Sequence, residues 1–319
     1  MKHFQKYFLI KIFGLFLLVL AIMVSIASRP PKNFPSGEVV HIPKNISLTR
    51  VSSILYAENV ISSSFLFKSI VTIFYGQRGV SAGDYLFEYP SSVWTIASRM
   101  AKGDHGLPRI KVMIPEGSTV RDIAWILLKN IPDFNAPYFV KIAADAEGYL
   151  FPDTYFFYPN STPDEIADSL RNAFRDKISA FSSGISLSGR KPEDIITMAS
   201  IVEREAANSA DRAIIAGILW KRLDIGMPLQ VDVPLVYITA NTTGYVSLND
   251  TKIDSPYNTY KYAGLPIGPI SNPGLDSLKA VLNPVKTSYL YYLSDKGGKM
   301  HYAVDHAGHV LNREKYLNK

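Results

Sequence analysis

Residues 192–207 read Pro-Glu-Asp-Ile-Ile-Thr-Met-Ala-Ser-Ile-Val-Glu-Arg-Glu-Ala-Ala. Proline at the first helical position, followed by Glu193 and Asp194 in the first turn, predicts a helix start. Proline's missing N–H is no loss there, and acidic side chains complement the helix dipole. At roughly 100° per residue, Ile195, Ile196, Met198, Ala199, Val202 and Ala206 sweep one broad apolar face. Glu203 leans into that face between Ile196 and Ala199. Glu205 falls on the opposite flank, near Met198 and Ile201, while Arg204 shares the polar side with Thr197. A carboxyl on an apolar flank is desolvated, which keeps its proton as a general acid near neutral pH requires. The competing reading is a solvated Glu-Arg-Glu at a helix end.

Working outward from this helix, further helices are predicted at Pro163–Ser182 and about Ser209–Leu223. Upstream, the order from Arg109 is strand, helix Thr119–Lys129, short helix Ala136–Ala144, then an aromatic-rich loop. Between Val39 and about Gly103 it is strand, helix Ser47–Glu58, helix Ser64–Phe74, strand, helix Ser92–Lys102, a small α/β module. After Gly226 the chain is irregular until Ser277–Val281, and the tail carries a strand pair, Tyr289–Ser294 and His301–Asp305, around Asp295-Lys296-Gly297-Gly298. Ile42-Pro43-Lys44-Asn45 and Ile114-Pro115-Glu116-Gly117 open two segments that align without a gap at a spacing of 72, with Ser47/Thr119, Val51/Ile123 and Leu55/Leu127 in register. Each reads as a strand, a turn, a Ser or Thr N-cap and an amphipathic helix.

Residues Ile12–Ser28 carry no charge and follow Lys2, Lys6 and Lys11. About 20 apolar residues cross a bilayer core, and the basic flank orients the N-terminus to the cytoplasm. The expectation is an uncleaved single-pass anchor; the alternative is a signal peptide cut after Ser25 and Ala27. The expected fold class is therefore α+β: an N-terminal transmembrane helix (residues 1–28), a linker (29–38), a small α/β module (39–106) and a mixed α+β domain (107–319). The linker, Arg29-Pro30-Pro31-Lys32-Asn33-Phe34-Pro35, reads as an extended spacer.

Composition removes whole classes. With no cysteine, disulfide scaffolds, Cys-ligated metals and thiol nucleophiles are out. The formal charge of +6 drops to about +3 once the three N-terminal lysines are set aside, which is no basis for nucleic-acid binding. HExxH, GxSxG, Walker A and GxGxxG elements are all missing, and His306 and His309 at spacing three read as a polar surface turn. No cofactor and no metal is expected.

Two other clusters can carry chemistry. Glu147-Gly148-Tyr149-Leu150-Phe151-Pro152-Asp153-Thr154-Tyr155 interleaves aromatics with two carboxylates, as a sugar-binding wall does, or as a core loop does in which Asp153 caps a turn. Ser255–Tyr260 and Gly264–Gly274 are dense in Pro and Gly, fixing an ordered loop whose Asn, Thr and Tyr suit N-acetyl and hydroxyl groups. Leu229-Gln230-Val231-Asp232 offers one more carboxylate.

Taken together, Ala199–Glu205, Glu147-Gly148 through Pro152–Tyr155, Leu229–Asp232, Tyr257–Tyr260, Gly264–Pro266 and Ile270–Gly274 resemble, in order, the endolytic murein transglycosylases of the YceG-like family. The resemblance implies one transmembrane helix, a LysM-like module (the 39–106 segment) and a catalytic domain facing the cell wall. It implies non-hydrolytic cleavage between MurNAc and GlcNAc to give 1,6-anhydroMurNAc ends. The family's catalytic glutamate lands on Glu203, with Glu147, Asp153, Gln230, Asp232, Asn258, Tyr260 and Asn272 as substrate-binding residues. Two positions depart from the family pattern: Val233-Pro234 follows Asp232 where Asp-Pro-Thr is commoner, and Arg204 replaces a lysine. Implied partners are peptidoglycan glycan strands, the inner membrane and peptidoglycan synthases, with the bulk of the chain extracytoplasmic. Other classes remain: a muramidase-type hydrolase pairing Glu203 with Asp232 or Asp153, and an inert glycan-binding scaffold.

Overall fold

Hydroxyl caps and alternating apolar residues build two units from this chain. The computed structural model describes residues 14–15, 17–19, 22–76, 79–240 and 246–317. One unit holds the residues up to Arg109 together with Tyr158–Asn160; the other holds Ile110–Phe157 and the chain from Ser161.

In the first unit, β1 (Glu38–Ile42) pairs antiparallel with β2 (Gly83–Phe87), Glu38 opposite Phe87 and Ile42 opposite Gly83. Between them run α1 (Leu48–Ala57) and α2 (Ser64–Phe74), and α3 (Val93–Lys102) follows. Val40, Ile42, Tyr85 and Phe87 point to one side of the ribbon and close a core with Leu55, Phe67 and Ile96. The 29–38 stretch is no free spacer. Phe34 packs edge-on to Phe87, and the Ser62 hydroxyl donates to the Arg29 carbonyl at 2.8 Å, because burying the phenyl ring outweighs leaving it in water.

The expected transmembrane helix falls on residues 12–28. Residues 1–13, 16, 20 and 21 lie outside those described, and residues 22–27 are helical. No helix among the described residues is long and apolar enough to cross a membrane, which takes about 20 continuous apolar residues. The transmembrane part of the expected fold class is corrected accordingly. The single-pass inner-membrane location, which rests on that helix alone, falls with it.

The second unit opens with the other copy of the aligned segment. β3 (Ile110–Met113), α4 (Val120–Asn130), α5 (Ala136–Ala143) and β4 (Thr154–Phe157) repeat the strand–helix–helix–strand order, β3 and β4 again antiparallel. Ser47 caps α1 by accepting from Arg50 N; Thr119 caps α4 with a full capping box, its hydroxyl accepting from Asp122 N while Asp122 accepts from Thr119 N. The aligned Leu55 and Leu127 are both fully buried. The stretch read as an aromatic loop thus supplies a strand.

α6 (Pro163–Ser179) joins two cores: Ile166, Ala167 and Leu170 pack with α4 and α5, whereas Phe174 packs with the helices beyond. After α7 (Ser182–Ser188), α8 (Pro192–Glu205) is buried without interruption from Ile195 to Glu203, so more than one face is covered. It packs on α9 (Ser209–Asp224), α10 (Val233–Thr239) and α11 (Leu275–Leu282). A hairpin of β5 (Tyr291–Ser294) and β6 (Met300–Ala303) and the helix α12 (His306–Tyr316) complete the unit. α7, α10 and α12 were not expected. Each is short or weakly amphipathic, and His306 and His309 lie in the first turn of α12 instead of a surface turn.

Gly217 lies inside α9 where an added Cβ would sit 2.0 Å from the Val285 carbonyl oxygen. Gly→Ala in a helix interior ordinarily gains about 0.5–1 kcal/mol. Here the sign reverses: Gly217→Ala is expected to lower stability by about 1–3 kcal/mol through overpacking, read as a lower midpoint in chemical denaturation.

Candidate functional site

α8 ends at Glu205, Ala206 turns to extended backbone, and Asn208 caps α9 by accepting from Asp211 N at 3.0 Å. This corner borders a cleft of about 560 Å³ whose lining includes Glu116, Glu203, Glu205, Asp211, Arg212 and Met300. Two carboxyls two residues apart therefore reach one cleft from different sides of a helix.

Glu203 is held by donors on both oxygens. Arg212 Nη2 donates to Oε1 at 2.6 Å and the Gly274 N–H donates to Oε2 at 2.9 Å. Arg212 also donates from Nη1 to Asp276 Oδ2 (2.8 Å) and from Nε to the Ala206 carbonyl (3.1 Å), the residue just past the end of α8. Only 3 % of the Glu203 side chain is exposed. The apolar flank expected around Glu203 is present, but so is a guanidinium the sequence did not announce. Across the cleft, burial, reinforced by the charge of Glu203, pushes the Glu116 carboxyl above its ordinary range.

Glu205 has a different environment. It keeps partial exposure, and its Oε2 accepts the Tyr292 phenol at 3.0 Å. Burial pushes its pKa up to about 7; the nearby negative charge of Asp232 adds to this, while the Tyr292 hydrogen bond and Arg222 oppose it. Tyr260 donates to Asp232 Oδ1 at 2.6 Å. Arg222 is buried, with its Nε on the Leu290 carbonyl (2.7 Å), Nη1 on the Leu229 carbonyl (2.5 Å) and its guanidinium over the Tyr291 ring. A carboxyl titrating near neutrality, on a residue that lines a cleft, can both give and take a proton at physiological pH.

The structure sorts the sequence-predicted residues into groups. Glu203 lines the cleft, and Asp232 and Tyr260 stand beside Glu205. Asn258 is buried and organises the loop that carries Tyr260: its Nδ2 donates to the Thr251 and Ile253 carbonyls, and its Oδ1 accepts from Tyr260 N and Lys261 N. Gln230 exposes its side chain and takes a left-handed φ of 46°, its N–H donating to the Thr259 carbonyl. Asp153 is at the surface, accepting from Thr154 N and lying 3.8 Å from Lys177.

Glu147 and Asn272 form a separate buried knot. Glu147 accepts from the first N–H of α4 at Val120 (3.1 Å), from Asn272 Nδ2 (3.1 Å) and from Tyr237 (3.3 Å), and Asn272 binds the Ser118 carbonyl and Leu150 N. These contacts tie the 147–150 turn to the 270–274 loop. Gly148, at φ 86°, permits the approach, since a Cβ there would lie 2.5 Å from Pro269. Arg212, Tyr292, Arg222 and Glu116 were missed as site residues. Their partners lie on other elements, six to 87 residues away, so no helical or strand spacing announces them.

The sequence model described as the YceG-like family matches residues 40–315. The chain belongs to that family. Among its YceG-like relatives, it is 31% identical over 306 residues to the endolytic murein transglycosylase of Bacillus subtilis (strain 168), covering 88% of this chain and 84% of that one. It is 27% identical over 321 residues to the protein of the same name from Streptococcus pneumoniae (serotype 2, strain D39), covering 88% of this chain and 58% of the relative. A 2.6 Å crystal structure of a yceG-like protein from Listeria monocytogenes superposes with a TM-score of 0.59 at 30% identity, covering 86% of this chain and 98% of the other.

The buried Glu147 of this YceG-like chain carries a pH signature. Burial, the largest effect, outweighs its hydrogen bonds and pushes its pKa from 4.5 to about 7. The folded state therefore keeps a proton that the unfolded state releases. Its contribution to stability is full below about pH 4.5 and is lost as pH rises through 7. Denaturation midpoints measured from pH 4 to 8 are expected to fall with pH more steeply in the wild type than in Glu147→Gln.

Proposed function

We propose that the protein is an endolytic lytic transglycosylase of peptidoglycan, with Glu205 as its proton donor and acceptor. The names of the Bacillus and Streptococcus relatives support the reaction class. One observation carries the residue assignment: of the two glutamates at the end of α8, Glu203 is saturated by Arg212 and the Gly274 N–H, whereas Glu205 is partly exposed and titrates near 7. The sequence reading favoured Glu203; the geometry favours its neighbour two residues on.

In the proposed reaction Glu205 protonates the glycosidic oxygen between MurNAc and GlcNAc. As that C–O bond breaks, positive charge develops at the MurNAc anomeric carbon. The C6 hydroxyl of the same sugar attacks that carbon, and Glu205 recovers its proton. One C–O bond is exchanged for another, no water is consumed, and the new end is 1,6-anhydroMurNAc. A single carboxyl suffices because the nucleophile is tethered to the substrate. Asp232, beside Glu205, offers the second carboxylate that a hydrolase would need. Product mass therefore discriminates the two chemistries.

The strand–helix–helix–strand order of residues 38–87 supports reading the 39–106 segment as a LysM-like, glycan-holding module.

Incubated with purified peptidoglycan in ¹⁸O-labelled water, the enzyme is expected to release anhydro ends without label; labelled reducing ends would convert the assignment to a hydrolase. Glu205→Gln is expected to lower turnover by at least about 10²–10⁴-fold with its fold retained. Glu203→Gln is expected to keep measurable turnover but lose stability, because Arg212 keeps only Asp276 of its two carboxylate partners. The rate should fall as pH rises above about 7, where Glu205 loses its proton.

A further inference from the structure

The β5–β6 hairpin meets the α8–α9 corner through two phenols. Tyr292 and Tyr302 are directly opposite in the antiparallel register, so their side chains share one face of the ribbon. Tyr302 donates to Asp211 Oδ1 in the first turn of α9, and Tyr292 donates to Glu205 Oε2 at the last residue of α8. The hairpin thus grips both arms of the corner. Tyr302 is braced from behind by the stacked ring of Tyr289 at 5.3 Å, and Tyr292 packs against the core that contains α8.

A phenol donating to one oxygen of a carboxyl decides what the other can do. With Oε2 accepting from Tyr292, the proton of the neutral acid belongs on Oε1; once it has left, the phenol still donates to the carboxylate. We propose that Tyr292 is a positioning residue for the reaction, holding Glu205 by Oε2 so that Oε1 delivers and recovers the proton. This rests on the reading of Glu205 as the proton donor. The other groups facing Glu205 are Asp232 ahead of α10, Arg222 from α9 and Tyr260 from the 255–274 loop. None of them is hydrogen-bonded to its carboxyl among the described contacts. Tyr292 alone supplies a directed donor, and it is one of the influences that favour the ionised form of Glu205.

The test compares wild type, Tyr292→Phe and Glu205→Gln on purified, peptide-free peptidoglycan glycan strands, with thermal melting as the measure of folding. Tyr292→Phe keeps the ring and removes the donor. It is expected to leave KM within about twofold and to lower kcat about tenfold. It should also move the alkaline limb of the rate profile to higher pH, because losing a donor to the carboxylate raises the acid's pKa. Fluorotyrosine installed at 292, a stronger donor of nearly the same shape, should move that limb to lower pH. Its use keeps the test open should the phenylalanine variant fail to fold. Tyr302→Phe, which removes the other phenol of the hairpin, should leave the limb in place. An inactive Glu205→Gln together with an unmoved limb for the 292 substitutions overturns the positioning role alone. An active Glu205→Gln overturns the assignment of the acid and this inference with it.

Discussion

A single guanidinium holds the corner on which the site is built. Arg212 reaches Glu203, Asp276 and the Ala206 carbonyl at once, spanning the end of α8, the start of α9 and the first turn of α11. Charges this deep are costly to bury singly; paired and fully hydrogen-bonded they are tolerated, and removing one member leaves the other uncompensated. The pair thus contributes little as attraction and much as constraint. It fixes where α8 stops, and so where Glu205 is presented.

Two glutamates on one helix end acquire different characters from that arrangement. Residues two apart on a helix project about 200° from each other, so Glu203 and Glu205 cannot share neighbours. One side meets Arg212 and a backbone N–H, and the other meets a phenol, a carboxylate and a partly open cleft. The two carboxyls of one helix end thus have separate hydrogen-bond partners. The hairpin and the 255–274 loop matter because they bring Tyr292, Tyr260 and Asp232 to the second side.

Away from the cleft, the polar residues that resemble a sugar-binding wall are occupied in holding loops together. Glu147 and Asn272 bond each other and satisfy a helix N-terminus and two loop groups, and Asn258 satisfies four backbone partners. Buried polar groups with full hydrogen-bonding are part of the scaffold, and such networks specify one loop conformation over its alternatives. An irregular loop rich in Pro and Gly needs this support, because it has no ladder of its own to satisfy its backbone.

What the sequence determined by itself was local. Pro192 with two acids, Ser47 and Thr119 as caps, and the aligned segments at residues 42 and 114 act within a turn or two of chain, and the elements appear where those signals place them. An apolar run at the N-terminus is the same kind of local signal. There it overreached, since no helix among the described residues has the length and apolarity to cross a membrane. The motif at the end of α8 was also legible, but not what surrounds each of its glutamates. Tertiary structure decided that. The pKa of a carboxyl depends on burial and on the charges and donors within a few ångströms, and here Arg212, Gly274, Tyr292 and Asp232 arrive from elements between 9 and 87 residues away. Periodicity reports the direction in which a side chain points; only the folded chain supplies what it meets.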